Sequence, residues 1–315
     1  MEKRPLVILT GPTAVGKTAL SIRLAKAIGG EIISADSMQV YRYMDIGSAK
    51  IKTEEMEGIR HHLIDVLNPE EEFNVVRFQT LAKQAMEEIH QRGKIPVVAG
   101  GTGFYIQALV NDIDFTKNDG DGSYREELSD FAKVHGADAL HERLKEVDPK
   151  AAQEIHANNV KRVIRALEFY QQTGKRISEH NEEERKKTSP YQYTYFVLND
   201  DRQKLYERIE RRVDAMLEEG LVDEVRKLKE MGCTKEMVSM QGLGYKEILA
   251  YLNGECTLEE AVYILKRDTR HFAKRQLTWF KREKDVIWVS KPDFGYNETS
   301  ILEYLLENLK KRGII

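Results

Sequence analysis

The stretch Gly11-Pro12-Thr13-Ala14-Val15-Gly16-Lys17-Thr18 constrains this chain more than any other, because it has the G-x-x-x-x-G-K-[ST] spacing of a phosphate-binding loop. It follows the apolar run Leu6-Val7-Ile8-Leu9, short enough for a buried parallel strand, and precedes a helical pattern from 19 to 28 that Gly29-Gly30 ends. Strand, loop and helix in that order gather backbone N–H groups and a helix N-terminus around phosphate oxygens. Lys17 then reaches the outer phosphate, and the Thr18 hydroxyl can hold Mg²⁺. The loop does not by itself say which phosphate ester it holds.

Other segments deliver chemistry to the same place. Glu31-Ile32-Ile33-Ser34-Ala35 reads as a second strand and runs directly into Asp36-Ser37-Met38-Gln39-Val40-Tyr41-Arg42. Ligands of open α/β sheets sit beyond the carboxyl ends of strands, so Asp36 is expected on the rim of the phosphate loop. A carboxylate there can accept a proton, hold a cation or cap the adjoining turn. His61 to Val66 is expected to resume a short strand, and its adjacent histidines point to opposite faces, which suits a structural role better than a shared metal. Residues 74–92 carry helical spacing behind the N-cap Asn74. Ile95-Pro96-Val97-Val98-Ala99 is a further buried strand, and Gly100-Gly101-Thr102-Gly103 at its end brings backbone and the Thr102 hydroxyl toward the loop's ligand.

The pattern changes from about residue 112. Asn118-Asp119-Gly120-Asp121-Gly122-Ser123 reads as a polar linker, and the next 60 or so residues are helical without a strand signal, so residues 113–188 form an expected helical insert between the core segments 1–112 and 189–315. Within it, residues 159–174 make one amphipathic helix with Val160, Val163, Ile164, Leu167 and Tyr170 inward, and Lys161, Arg162 and Arg165 outside that stripe. The run 182–187 is read as a solvated turn or helix end. Residues 191–198 form a returning strand, and the helix 201–219 sets Arg208, Arg211 and Arg212 beside the face of Leu205, Ile209, Val213 and Met216. Such arginines clamp a diphosphate or pair with neighbouring carboxylates. Between 266 and 284, eight Lys or Arg stand against Asp268 and Glu283, giving +6, with Phe272, Trp279 and Phe280 interleaved. Cations for phosphates and rings for bases suit a nucleic-acid surface, although rings also anchor cores.

Together these elements predict an α/β protein: a P-loop NTPase-like parallel sheet flanked by helices, with an inserted all-helical domain. The net charge of −3 means that contact with nucleic acid must come from local patches. Cys233 and Cys256 lie far apart with no C-x-x-C pair, as expected of reduced thiols in the cytoplasm. No apolar run is long enough for a signal peptide or a membrane span. A P-loop core with a helical insert fits a small-metabolite or nucleotide kinase; the +6 segment and the cationic insert helix fit a transferase acting on RNA. An RNA-binding protein with a vestigial loop would leave Lys17 and Thr18 unexplained. Against the kinase stands the lack of a clear acidic strand end of the Walker B kind, Leu63-Ile64-Asp65 being the nearest.

The segments 11–18, 36–42, Asp45-Ile46-Gly47-Ser48-Ala49-Lys50, 61–65, 100–103, Arg162-Val163-Ile164-Arg165-Ala166-Leu167-Glu168, Gly244-Tyr245-Lys246 and Ala273-Lys274-Arg275-Gln276-Leu277-Thr278-Trp279-Phe280 together resemble the bacterial tRNA dimethylallyltransferases. They stand in the family's order along nearly the whole chain. Departures lie at Ser48, Ile51, Phe104, Ala157 and Asn159, none in the phosphate loop or at Asp36. The resemblance implies transfer of a dimethylallyl group from dimethylallyl diphosphate to the exocyclic amine of the adenosine 3′ of a tRNA anticodon, with Mg²⁺ at Thr18. It makes the loop a holder of the diphosphate, with Lys17, Arg208, Arg211 and Arg212 stabilising the leaving charge, Asp36 the general base and Thr102 its neighbour. It further implies RNA contacts from Asp36, Ser37, Met38, Gln39 and Thr102 near the flipped base, from Arg125, Lys161, Arg162, Val163, Ile164 and Arg165 on the insert, and from Gly244, Tyr245, Lys246, Lys274 and Arg275. Within the family, an enzyme that prenylates free adenine nucleotides is the close rival, and the insert and the +6 segment favour tRNA.

Overall fold

A computed structural model describes residues 3–115 and 122–315. Among these, six parallel strands form one sheet: β1 (Arg4–Thr10), β2 (Glu31–Ala35), β3 (His61–His62), β4 (Pro96–Gly100), β5 (Tyr191–Asn199) and β6 (Val286–Ser290), in the order β3-β2-β4-β1-β5-β6. The central strands are apolar run after apolar run because both faces of the sheet are covered. In β1, Leu6 and Ile8 join one hydrophobic cluster while Val7 and Leu9 join the other, and all four are fully buried. Tyr195 and Val197 of β5 divide from Phe196 and Leu198 in the same way, as the two-residue period of a strand requires.

The first helix, α1 (Lys17–Ile28), begins inside the phosphate loop and is ended by Gly29. The helix α2 (Val75–Gln91) is capped by Asn74, whose side chain accepts from the Arg77 N–H. The short α3 (Gly103–Val110) follows β4 directly. The register fixes what the rim of the sheet looks like. Thr10 of β1 and Ala35 of β2 both pair with Gly100 of β4, so Gly11, Asp36 and Gly101 leave the sheet side by side.

Residues Asn111–Ser189 separate as a compact unit of their own. It holds α4 (Ser123–His135), α5 (Ala137–Val147), α6 (Pro149–Glu154), α7 (Val160–Thr173) and α8 (Ile177–Lys186) around a small core of Leu128, Leu140, Leu144, Val163 and Leu167. Most of the linker expected at 118–123 lies outside the described residues. One detail of this unit differs from expectation. Tyr170 is 40% exposed, and Phe169 and Ala166 fill the inner face of α7 instead. The charged run at 182–187 is the end of α8, one of the two forms expected of it.

The chain returns through β5 to α9 (Arg202–Glu218), α10 (Leu221–Glu230), α11 (Tyr245–Leu252), α12 (Leu258–Phe280) and, after β6, α13 (Glu298–Lys311). The segment expected as a strand from His61 to Val66 stops after His62. Leu63 and Asp65 take positive φ, which ends the ladder, and the Asp65 carboxylate pairs with the buried Lys50 ammonium. His62 pairs with Glu31, which also receives Arg92 and Lys94. Burial alone would raise the Glu31 carboxyl, but hydrogen bonds from Arg92, His62 and Lys94 override it and hold it down at about 2. His62 is thus structural, while His61 meets the Ile59 carbonyl at 2.8 Å. Among the described residues, no helix is long and apolar enough to cross a membrane.

Candidate active site

The strand ends open into a cavity of about 900 Å³. Its polar end is the phosphate loop, lined by Thr13, Ala14, Gly16, Lys17 and Thr18, with Asp36 and Thr102 from the neighbouring strand ends. Beyond it, apolar side chains of Ile32, Phe73, Tyr105, Val213, Met216, Leu243, Leu265 and Phe272 line the wall, interspersed with polar ones such as Gln241, Lys246 and Arg275. One cavity therefore combines a phosphate cradle with room for a hydrocarbon.

Lys17 folds back onto its own loop, donating to the Gly11 carbonyl at 3.0 Å and the Pro12 carbonyl at 2.7 Å. Burial lowers its ammonium to about 7, and the Arg212 charge pushes the same way while Asp36 opposes both. Arg212 is likewise lowered by burial, with Asp36 again opposing, and its Nη1 lies 3.5 Å from the Thr13 hydroxyl. Two cations held this close at reduced solvation make a site suited to a multiply charged anion.

The three arginines of α9 are held differently, although all line the cavity. Arg208 donates from Nε to the Ala14 carbonyl at 2.9 Å and pairs with the buried Asp200, which also accepts from the Tyr296 hydroxyl at 3.1 Å. Its charge is already neutralised, and it braces the phosphate loop from outside. Arg211 is exposed and reaches the Glu207 carbonyl at 3.4 Å. Arg212 is the one held against Lys17 and Asp36.

Asp36 caps the adjoining turn, one of the roles expected of it. Its Oδ1 accepts from the Met38 N–H at 2.8 Å and the Gln39 N–H at 3.4 Å, fixing the turn, while among the described residues its Oδ2 accepts no hydrogen bond. Thr102 is held by its N–H to the Ala35 carbonyl at 3.2 Å. Ser37, Met38 and Gln39 line the cavity, and Gln39 is tied down by the Ser34 hydroxyl and by its own donation to the Ala49 carbonyl. For a metal, the described residues contain no group of three or more His, Cys, Asp or Glu. The exposed Thr18 hydroxyl and the single carboxylate of Asp36 suit Mg²⁺, which keeps waters and substrate phosphate oxygens as its other ligands.

Several residues predicted at an RNA surface are placed otherwise. Tyr245 is fully buried; its hydroxyl donates to Glu224 at 2.9 Å and accepts from the Ser48 N–H at 3.0 Å. Glu224 also accepts the N–H groups of Asp45, Ile46 and Gly47, so this pair shapes the loop that walls the cavity. Burial and the Glu224 charge push the Tyr245 hydroxyl well up. Gly244 caps α11 by donating to Glu247 at 2.8 Å, and Lys246, 40% exposed, pairs with Glu247 at 3.4 Å while lining the cavity. Val163 and Ile164 sit in the insert's core, where an apolar side chain holds α7 rather than meeting phosphate. Arg125 is committed to the buried Glu168 through two hydrogen bonds. Lys161 and Arg162 are exposed on α7, and Arg165 is half-buried.

Lys274 and Arg275 are exposed on α12, where with His271, Thr278, Trp279 and Arg282 they line a second recess of about 520 Å³. Arg275 lines both recesses. Of the three rings in that segment, Phe280 is a buried core anchor. Sequence reasoning missed Asp200, Glu224 and Gln276 as determinants of the site. Gln276 left a signal: it follows Ala273 by three residues and precedes Phe280 by four, a polar residue on an apolar stripe.

The sequence profile of the family described as IPP transferase matches residues 39–283. The chain is 64% identical over 312 residues to a tRNA dimethylallyltransferase of Lachnoclostridium phytofermentans, covering 99% of each. It is 54% identical over 305 residues to one of Acetivibrio thermocellus, covering 97% of this chain and 96% of that one. Among solved structures, the tRNA isopentenylpyrophosphate transferase of Bacillus halodurans matches with a TM-score of 0.74 at 46% identity, covering 99% of this chain and 98% of that one. A eukaryotic dimethylallyltransferase acting on tRNA matches with a TM-score of 0.80 at 34% identity, covering 91% of this chain and 74% of that one.

Proposed function

This chain belongs to the IPP transferase family, and we propose that it is a tRNA dimethylallyltransferase. It moves a dimethylallyl group from dimethylallyl diphosphate to the exocyclic amine of the adenosine 3′ of the anticodon and releases diphosphate. The observation that carries this reading is the composition of the cavity: a phosphate cradle at one end, an apolar wall beyond it, and a carboxylate across the rim.

The donor lies with its diphosphate on 11–18 and its hydrocarbon against the apolar wall. As the amine nitrogen bonds to the allylic carbon, the carbon–oxygen bond to diphosphate breaks. Asp36 takes the amine proton through the oxygen that the turn leaves unused, and Thr102 orients the acceptor beside it. Lys17 and Arg212 stabilise the charge that collects on the leaving diphosphate, and Arg208 keeps the loop in shape. Thr18 would hold Mg²⁺ together with the diphosphate oxygens, and bound there the ion would further neutralise the leaving group. A base stacked in an anticodon loop must leave its stack to reach Asp36, past Ser37, Met38 and Gln39. The kinase reading is weakened by Asp65, the nearest Walker B carboxylate, which is engaged by Lys50 instead of facing a nucleotide.

Incubating the protein with Mg²⁺, labelled dimethylallyl diphosphate and unmodified tRNA should place label in the tRNA. Label in AMP but not in tRNA would make it a nucleotide prenyltransferase. ATP turnover without label transfer would restore the kinase.

A further inference from the structure

Prenyl transfer leaves unused one buried amide at the edge of the site. Gln276 of α12 is 6% exposed. Its Oε1 accepts from the Thr13 N–H of the phosphate loop at 2.8 Å, and its Nε2 donates to the Gly101 carbonyl of the turn after β4 at 2.9 Å. One partner is a donor and the other an acceptor, so the amide cannot flip without opposing like groups.

The turn is built to receive α12. A Cβ on Gly101 would lie 2.2 Å from Gln276 Nε2, and one on Gly103 would lie 2.2 Å from Trp279 Cδ1. A larger residue at Gly101 would displace the Gln276 amide, and one at Gly103 the Trp279 ring. Thr102 stands between those two glycines, held against the helix from both sides. Thr13 belongs to the loop that carries the diphosphate. A single side chain therefore spans the donor and acceptor halves of the site.

Building on the prenyl-transfer reading, we infer that Gln276 is a positioning residue: its amide locks the phosphate loop to the turn of Thr102 and so sets the distance across which the dimethylallyl group moves. It touches neither reacting atom. Its effect is on the geometry of attack, where a displacement of about 1 Å can cost on the order of a hundredfold in rate.

The test is the single-turnover rate of label transfer per folded enzyme, at saturating tRNA and dimethylallyl diphosphate. Gln276→Met keeps the length of the side chain and removes both hydrogen bonds. The rate should fall roughly 10–100-fold, while half-saturation by either substrate moves by less than about threefold. A purely structural role would lower the thermal midpoint and leave the rate per folded molecule unchanged, which would overturn the inference. Should the Met variant not fold, Gly101→Ala carries the test, because its methyl group pushes on Nε2 with Gln276 in place; a wild-type rate from that folded variant would also overturn it. Gln276→Ala should make room for that methyl group, so the double variant should lose no more rate than Gln276→Ala alone, and additive losses would contradict the strut. The wild type is measured alongside: if it transfers no label to tRNA, the transferase reading itself fails, and this inference with it.

Discussion

The rim of the sheet and the cationic face of α7 use the same residue types in opposite ways. On the rim, cations are held by fixed neighbours: Lys17 lies on carbonyls of its own loop, Arg208 on Asp200, and Arg212 beside Asp36 and Lys17. On α7, Lys161 and Arg162 stand exposed. Burial at the rim makes each charge strong and its position fixed, which is what stabilising a transition state requires. Exposure on α7 leaves charges screened and mobile, which suits holding a polyanion without reading its sequence. A cation's chemistry therefore depends on its neighbours more than on its type.

The largest effect expected from breaking this contrast is at Asp36. Asp36→Ala should lower transfer by roughly 10²–10⁴-fold with diphosphate binding nearly intact, read by single-turnover kinetics beside equilibrium binding. Weaker diphosphate binding with an unchanged transfer step would give Asp36 a metal-holding role instead.

Arg212 and Arg208 sharpen the contrast within one helix. Arg212→Ala should reduce transfer by roughly 10²–10³-fold with little change in thermal midpoint. Arg208→Ala should act mainly on stability, by about 3 kcal/mol, because it strands the buried Asp200 carboxylate. Denaturant midpoints and rates measured on both variants distinguish the two, and an exchange of the two outcomes would reverse the assignment.

A smaller, pH-dependent effect belongs to Lys17. Its ammonium is lowered to about 7, so above that pH the free protein holds it neutral, and an arriving diphosphate recharges it. Below about pH 7 it is charged before and after binding and contributes no uptake. The same depression ties folding stability to pH: the unfolded chain holds the extra proton between about 7 and the ordinary lysine range, so stability rises with pH across that window. Calorimetry in buffers of different ionisation enthalpy should show more proton uptake by the wild type than by Lys17→Arg at about pH 8.5, and equal uptake at about pH 6. Equal uptake at both would contradict a neutral Lys17.

The smallest effects are expected on α7. Lys161→Ala and Arg162→Ala should each weaken tRNA binding to a similar degree for all tRNA sequences and reduce the slope of log affinity against log salt by about 1.

Much of this is legible in the chain. Apolar runs mark the central strands, the loop motif and Gly29 bound α1, and Asn74 marks the start of α2. The convergence of Gly11, Asp36 and Gly101 comes from strand ends alone. Spacing cannot separate residues whose roles depend on distant partners. Arg208 and Arg212 lie on one helix, and Asp200 and Tyr296 decide between them. Tyr245 stands in a motif expected at an RNA surface, yet Glu224 draws it into the core. Gln276 is hidden in a cationic segment because its partners lie 263 and 175 residues away.

The contrast between rim and surface rests most directly on one experiment: single-turnover transfer of labelled dimethylallyl to tRNA, measured as tRNA is raised to saturation, for Asp36→Ala and for Lys161→Ala/Arg162→Ala. The rim variant should stay slow at every tRNA concentration, and the surface variant should climb to the wild-type rate. A surface variant that stays slow at saturation, or a rim variant rescued by tRNA, would contradict the division of labour.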